Sequence, residues 1–202
     1  MDDELESLSE LLALKDETRT GWELRGIDDP ESVAAHTWGT ATLCLLFADK
    51  ADVDRDDAVA MALVHDLPEA RTGDVAIRAE DGKQRVSSEE KTRRERDALT
   101  DLLEPFADRR LESLWEEYEG RESSTAQFVK DMDLVDNCLQ ALRYERDGRY
   151  DPEVPNEAFD QYENVDEFFA TAAPRIRTDI GTDLFERTKA AYEQEIGREC
   201  QC

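Results

Sequence analysis

The sequence predicts an all-α fold, a bundle of about seven to nine helices, and three observations carry that expectation. Nine Gly, six Pro and rather few Val and Ile leave little material for strands and hairpins, while Leu, Ala, Glu and Arg are abundant. Apolar positions recur at helical spacing along most of the chain. At 202 residues the polypeptide is long enough for one domain with a real core.

Taken in order, Leu5, Leu8 and Leu12 mark a first helix. Pro30 stands near the start of a second, whose apolar positions Val33, Ala41, Cys44 and Phe47 keep helical spacing. A third helix starts after Asp54 and carries Ala58, Met61, Ala62 and His65. Between 68 and 86 the text changes to Pro68, Gly73, Gly82 and scattered charges, which predicts a loop that folds over a site. Ser87 and Glu90 have capping-box spacing and open a highly charged helix through Leu103. Another helix covers about 107–118. Phe128, Met132, Val135, Leu139 and Leu142 step by 4, 3, 4 and 3, so a long helix over about 124–146 buries one stripe. Two more, near 164–173 and 182–197, finish the chain. No internal repeat or low-complexity linker divides it, and 1–202 is expected to be a single domain.

Charge excludes one class of function. With 25 Lys and Arg against 51 Asp and Glu, the formal charge is −26. A nucleic-acid groove needs a clustered basic face, and the basic residues here are dispersed, so a polynucleotide is not the expected partner. A small anionic substrate stays open, because a bound metal and one or two arginines reverse the field inside a pocket. Only six of the basic residues are Lys, and with the surplus acid this points to a hypersaline cytosol where salt screens self-repulsion. Hydrophobic residues are 39% of the chain, but three Trp, seven Phe and five Tyr argue for a folded protein with an acidic surface. The longest apolar run, AVAMALV at 58–64, has seven residues, and MDDELES has no signal-peptide character, so neither a membrane span nor a leader is expected. Cysteines at 44, 138, 200 and 202 have neither zinc-site nor disulfide-framework spacing, which fits a reducing cytoplasm. The terminal Cys-Gln-Cys is expected to fray.

The chain has two histidines, His36 and His65, each on a predicted helix with small or apolar neighbours. His65-Asp66 ends the AVAMALV run, with Glu69 one helical turn on and Thr72-Gly73-Asp74 behind it. Ionic residues are costly at such a place unless paired or bound to metal. Imidazoles with carboxylates are the donor set that Mn, Co, Fe, Ni or Zn accept. On the 124–146 helix Asp131, Asp133 and Asp136 flank the apolar stripe, and any of the three is placed to reach inward. Most of the other carboxylates belong to solvated faces. The run RRERD at 93–97 reads as a solvated helix face, with Arg93 or Arg94 as candidates to approach a phosphate or a partner subunit.

The order His36, His65-Asp66 and a helical Asp near 133 resembles the H…HD…D signature of the HD-domain metal-dependent phosphohydrolases. The match extends to ESVAAHTW at 31–38, ALVHDLPEARTGD at 62–74, Arg19 and Trp22 upstream, and FVKDMD at 128–133, and these segments together look like the 5′-deoxynucleotidase branch. The resemblance covers about 10–145, leaving helices over 150–198 to pack on that core.

That resemblance implies an HD-domain helical bundle in which His36, His65, Asp66 and Asp133 hold one divalent metal ion: Mn, Co, Zn, Mg, Fe or Ni. Asp133 is the position matching the family's lysine-x-x-aspartate, here Lys130 to Asp133. Glu69, with Asp66, matches the catalytic acids, and Asp74 a second acid in the pocket. Arg19 matches the phosphate-contacting arginine and Trp22 the aromatic residue beside the sugar. Ala35 departs from the family, where glutamate often precedes the histidine. Each substrate residue also has a plainer reading: Arg19 as a surface partner of Asp16 or Glu23, Trp22 as core, Asp74 as a turn residue or cap. The implied activity is hydrolysis of deoxyribonucleoside 5′-monophosphates by a homodimer. The same site acting on a triphosphate, a cyclic nucleotide or a small phosphate ester, or a catalytically silent nucleotide-binding protein, are the alternatives.

Overall fold

Helix boundaries follow from caps written in the sequence. The computed structural model describes residues 2–79 and 86–202, so Gly82 of the expected loop lies outside the described residues. The helices are α1 (Asp3–Leu11), α2 (Thr20–Arg25), α3 (Val33–Ala51), α4 (Arg55–Val64), α5 (Glu69–Thr72), α6 (Ser88–Leu103), α7 (Arg109–Gly120), α8 (Ser124–Arg146), α9 (Asp166–Ala172) and α10 (Asp179–Ile196). Asp2, Ser32, Asp54, Ser87, Asp108, Ser123 and Thr178 each accept a hydrogen bond from a backbone N–H in the first turn that follows. Gly26 and Gly197 close α2 and α10 in the left-handed conformation that glycine adopts without strain. An isolated antiparallel bridge pairs Thr18 with Ser32, and no strand forms among the described residues.

The all-α expectation holds, with corrections of detail. The segment after 68 is not loop throughout: α5 forms one turn over Glu69–Thr72, because the chain leaves α4 through consecutive turns that keep helical φ and ψ. The six-residue α2 was not legible in the periodicity. α8 buries more than a stripe. Its residues from Phe128 to Val135 are all buried, since α3, α4, α7, α9 and α10 surround it. Of the predicted stripe, Leu139 alone emerges to solvent, at 39% exposure. α1 forms where expected, but Leu5, Leu8 and Leu12 are exposed and the burial passes to Leu14 in the following turn. The terminal Cys200-Gln201-Cys202 is not frayed, because Glu193 accepts from the Cys200 N–H and Asp166 from the Gln201 N–H.

The packing of α3, α4 and α8 on one another positions the site. His36 lies in the second turn of α3, His65 and Asp66 leave the end of α4, and Asp133 and Asn137 follow each other one turn apart on α8. Backbone hydrogen bonds from Arg19 N to Glu31 O and from Val33 N to Glu17 O fasten the segment before α2 to the start of α3. α10 packs along α8. No helix among the described residues is long and apolar enough to cross a membrane.

Candidate metal centre

Both histidines are held by one ring nitrogen and present the other. His65 Nδ1 donates to the Ala62 carbonyl at 2.6 Å, and His36 Nδ1 contacts Asp136 Oδ2 at 2.7 Å. A carbonyl only accepts, so the His65 proton sits on Nδ1 and Nε2 carries the lone pair. Both Nε2 atoms are buried without a hydrogen-bond partner. Asp66 stands between them, its Oδ2 at 3.1 Å from His65 Nε2 and 3.7 Å from His36 Nε2. Ligating atoms of His36, His65 and Asp66 all lie within 4.8 Å of one another.

Asp133 joins from α8. Its Oδ1 is 3.1 Å from His36 Nε2, while Oδ2 accepts from Lys130 Nζ at 2.6 Å and from the Tyr118 hydroxyl at 2.7 Å. Although burial works against the charged form, Lys130 and His36 hold the Asp133 carboxyl well below the usual range. Burial likewise opposes Asp66, and His65, Arg19 and His36 overcome it to hold that carboxyl low. Two imidazoles and two carboxylates, with buried lone pairs converging, fit a divalent cation in charge and in donor chemistry.

Beside this cluster a cavity of about 480 Å³ opens, within the range of small-molecule sites. Arg19 reaches over it, its Nη1 at 3.4 Å from both Asp66 Oδ2 and Asp74 Oδ1 and its Nη2 donating to Asn137 Oδ1 at 3.1 Å. This removes the reading of Arg19 as a surface partner of Asp16 or Glu23. Asp74 also accepts from the Thr20 N–H at 2.6 Å, so it caps α2 from a distance while it orients Arg19. Glu69 lines the cavity at 4% exposure, with Oε2 unpartnered and Lys91 Nζ 3.9 Å from Oε1. Burial, reinforced by the charges of Asp66 and Asp74, raises its carboxyl well above the ordinary value.

Trp22 is 1% exposed and donates its indole N–H to Glu31, and its ring stacks on Phe168 with centroids 3.8 Å apart. Both rings belong to the cavity wall. Asp131 and Asp136 do not reach the cluster of His36 Nε2, His65 Nε2 and Asp66. Asp131 turns toward α10, accepting from the Arg177 and Thr178 backbone N–H groups. Arg93 and Arg94 stay on the solvated face of α6, paired with Glu90, as the solvated-face reading of RRERD expects, and neither lines the cavity. Sequence reasoning missed Asn137, Tyr118, Lys91 and Phe168. Asn137 lies four residues beyond Asp133 on one helix face and was open to detection. The others arrive from separate elements and leave no local signal.

Comparisons with known proteins agree with this geometry. The profile of the HD domain family matches residues 11–177. The chain is similar to a Bos taurus protein named 5′-deoxynucleotidase HDDC2, 42% identical over 135 residues that cover 65% of this chain and 63% of that one. It therefore spans somewhat less than two thirds of that relative. A Danio rerio protein of the same name is 38% identical over 148 residues, 72% of this chain and 71% of the relative. Among solved structures, a predicted metal-dependent phosphohydrolase from Magnetospirillum magnetotacticum is similar with a TM-score of 0.66 and 27% identity, covering 97% of this chain and 92% of that one.

Proposed function

The chain belongs to the HD domain family, and from that premise we propose that it is a metal-dependent phosphomonoesterase that releases phosphate from deoxyribonucleoside 5′-monophosphates. The observation that carries the proposal is the convergence of two buried, unpartnered imidazole nitrogens with Asp66 at a cavity that Arg19 overhangs. His36, His65, Asp66 and Asp133 are the residues that would hold one divalent ion. Such an ion supplies a Lewis acid for the phosphoryl group and an acidified water at neutral pH.

The chain's own residues supply the rest. Arg19, with its guanidinium plane fixed between Asp66, Asp74 and Asn137, offers a fork for phosphate oxygens. Glu69, whose carboxyl is raised well above its ordinary value by burial and the neighbouring Asp66 and Asp74 charges, holds or moves a proton at Oε2, and help of this kind is worth about 10²- to 10⁴-fold. The electrostatics admit an anion despite the chain's charge of −26. Among the described residues lining the cavity, six Lys and Arg face seven carboxylates, so a divalent cation turns the local balance positive. Phe168, backed by the buried Trp22 ring stacked on it, gives the cavity an apolar wall beside which a sugar and base fit.

A single-domain homodimer in a salt-rich cytoplasm belongs to the same proposal; the acidic composition supports the salt-rich setting and the cysteine usage the cytoplasm, while the homodimer rests on the family resemblance. The test is kcat/KM for phosphate release at high salt across deoxyribo- and ribonucleoside monophosphates, a triphosphate, a cyclic nucleotide and a sugar phosphate. Preference for the deoxy monophosphates supports the assignment. Release mainly from another ester retains the metal site and discards the substrate.

A further inference from the structure

Asp136 and Gly39 lie outside the ligand set, yet they meet beneath His36. The Asp136 carboxylate stands 2.7 Å from His36 Nδ1, and the His36 side chain is 0% exposed. A Cβ built on Gly39 would fall 2.1 Å from Asp136 Oδ1 and 2.8 Å from its Cγ. No side chain fits there while that carboxylate is in place. Gly39 follows His36 by three residues on α3, and Asp136 follows Asp133 by three on α8, so both sit on the faces that carry the ligands.

An imidazole has two nitrogens, and the hydrogen bond made by one decides what the other presents. His36 is spanned by carboxylates, with Asp136 on Nδ1 and Asp133 on Nε2 at 3.1 Å. Glu31 also lies within ligating distance of His36 and Asp136, and its Oε1 accepts from the Trp22 indole N–H at 3.0 Å. Resting on the metal reading above, we propose that Asp136 is a positioning residue that keeps His36 protonated on Nδ1 and directs Nε2 to the cation. Gly39 provides the gap that admits the Asp136 carboxylate. The coupling is specific: alanine at 39 is harmful because Asp136 is there, although alanine in place of a helical glycine is ordinarily favourable.

The experiment is calorimetric titration of the metal-stripped full chain with Co²⁺, for wild type, Asp136→Ala, Asp136→Asn, Gly39→Ala and the Gly39→Ala/Asp136→Ala double variant. Melting curves of the metal-free proteins check folding, and the Asp136 pair decides the question if Gly39→Ala does not fold. Asp136→Ala is expected to weaken Co²⁺ binding about 10- to 100-fold. Asp136→Asn should recover most of that loss, since its amide oxygen still accepts from Nδ1–H. Gly39→Ala should weaken binding comparably, yet add less than about 2-fold once Asp136 is alanine. Wild-type protein that binds no Co²⁺ overturns the metal reading itself. Wild-type binding with unchanged affinity in Asp136→Ala overturns this inference alone. Two equivalents bound, falling to one in Asp136→Ala, would make Asp136 a ligand and overturn it as well.

Discussion

Replacing Asp131 by alanine should destabilise the protein and leave its metal affinity alone. The Asp131 carboxylate is fully buried and accepts from Arg177 N at 3.0 Å, Thr178 N at 2.7 Å and Thr178 Oγ1 at 2.6 Å, so it secures the entry to α10. Removing it strands two backbone N–H groups at about 1–2 kcal/mol each. The Thr178 hydroxyl keeps a second role, accepting from Gly181 N, and loses less. The sum is about 3 kcal/mol, and at about 2–4 °C per kcal/mol for a chain of this size the melting temperature should drop by about 6–12 °C. Asp131→Asn keeps one acceptor oxygen in place and should cost about half as much. Urea denaturation gives the stability and Co²⁺ calorimetry the affinity. A variant that loses Co²⁺ binding while its urea midpoint stays at the wild-type value would refute the division of labour between Asp131 and Asp133.

Three further outcomes follow from the same geometry. Glu69→Gln should lower kcat by about 10²- to 10⁴-fold with Co²⁺ affinity nearly unchanged, because Glu69 lines the cavity without joining the ligand cluster; equal losses in both would make it a ligand. In the metal-free protein, burial and the Arg19 charge push the His36 pKa down, but the Asp133 and Asp136 carboxylates on either side of the ring prevail and raise it to about 10. A folded pKa above the unfolded value near 6.5 contributes stability that is complete below about pH 6.5 and lost as pH rises through about 10. Urea midpoints in chelator should therefore fall between pH 6.5 and 9.5 in wild type, and a flat profile there counts against the His36 carboxylate clamp. Because the chain carries −26, its melting temperature should climb steeply from 0.1 to 2 M KCl as the screening length contracts from about 10 Å to below about 3 Å; a salt-independent melt removes the high-salt proposal.

Local signals were legible and long-range pairings were not. The Ser87 cap, the Asp54 cap and the spacing along α8 placed α6, α4 and α8 to within a residue or two. Periodicity put Asp131, Asp133 and Asp136 beside the apolar stripe but did not rank them, because their fates are decided by what each meets. Asp131 meets the start of α10 and presses against Gly181, Asp136 meets Nδ1 of His36 against Gly39, and Asp133 meets Nε2 of His36 and Lys130. Only the family's lysine-x-x-aspartate pattern singled out Asp133 in advance. α1 failed in the opposite sense: its leucines have helical spacing, yet the helix lies at the edge against α5 and α6 and leaves them exposed. The partnership of Trp22 with Phe168 joins residues far apart in the chain and has no local trace.

The most direct test of the account is phosphate release from a deoxyribonucleoside 5′-monophosphate while metal-stripped protein is titrated with Co²⁺ at high salt, beside Asp66→Ala. The account predicts no release without metal, saturation at one equivalent per chain, and no recovery by Asp66→Ala at matched Co²⁺. Release that persists in chelator, or that Asp66→Ala retains in full, would contradict it.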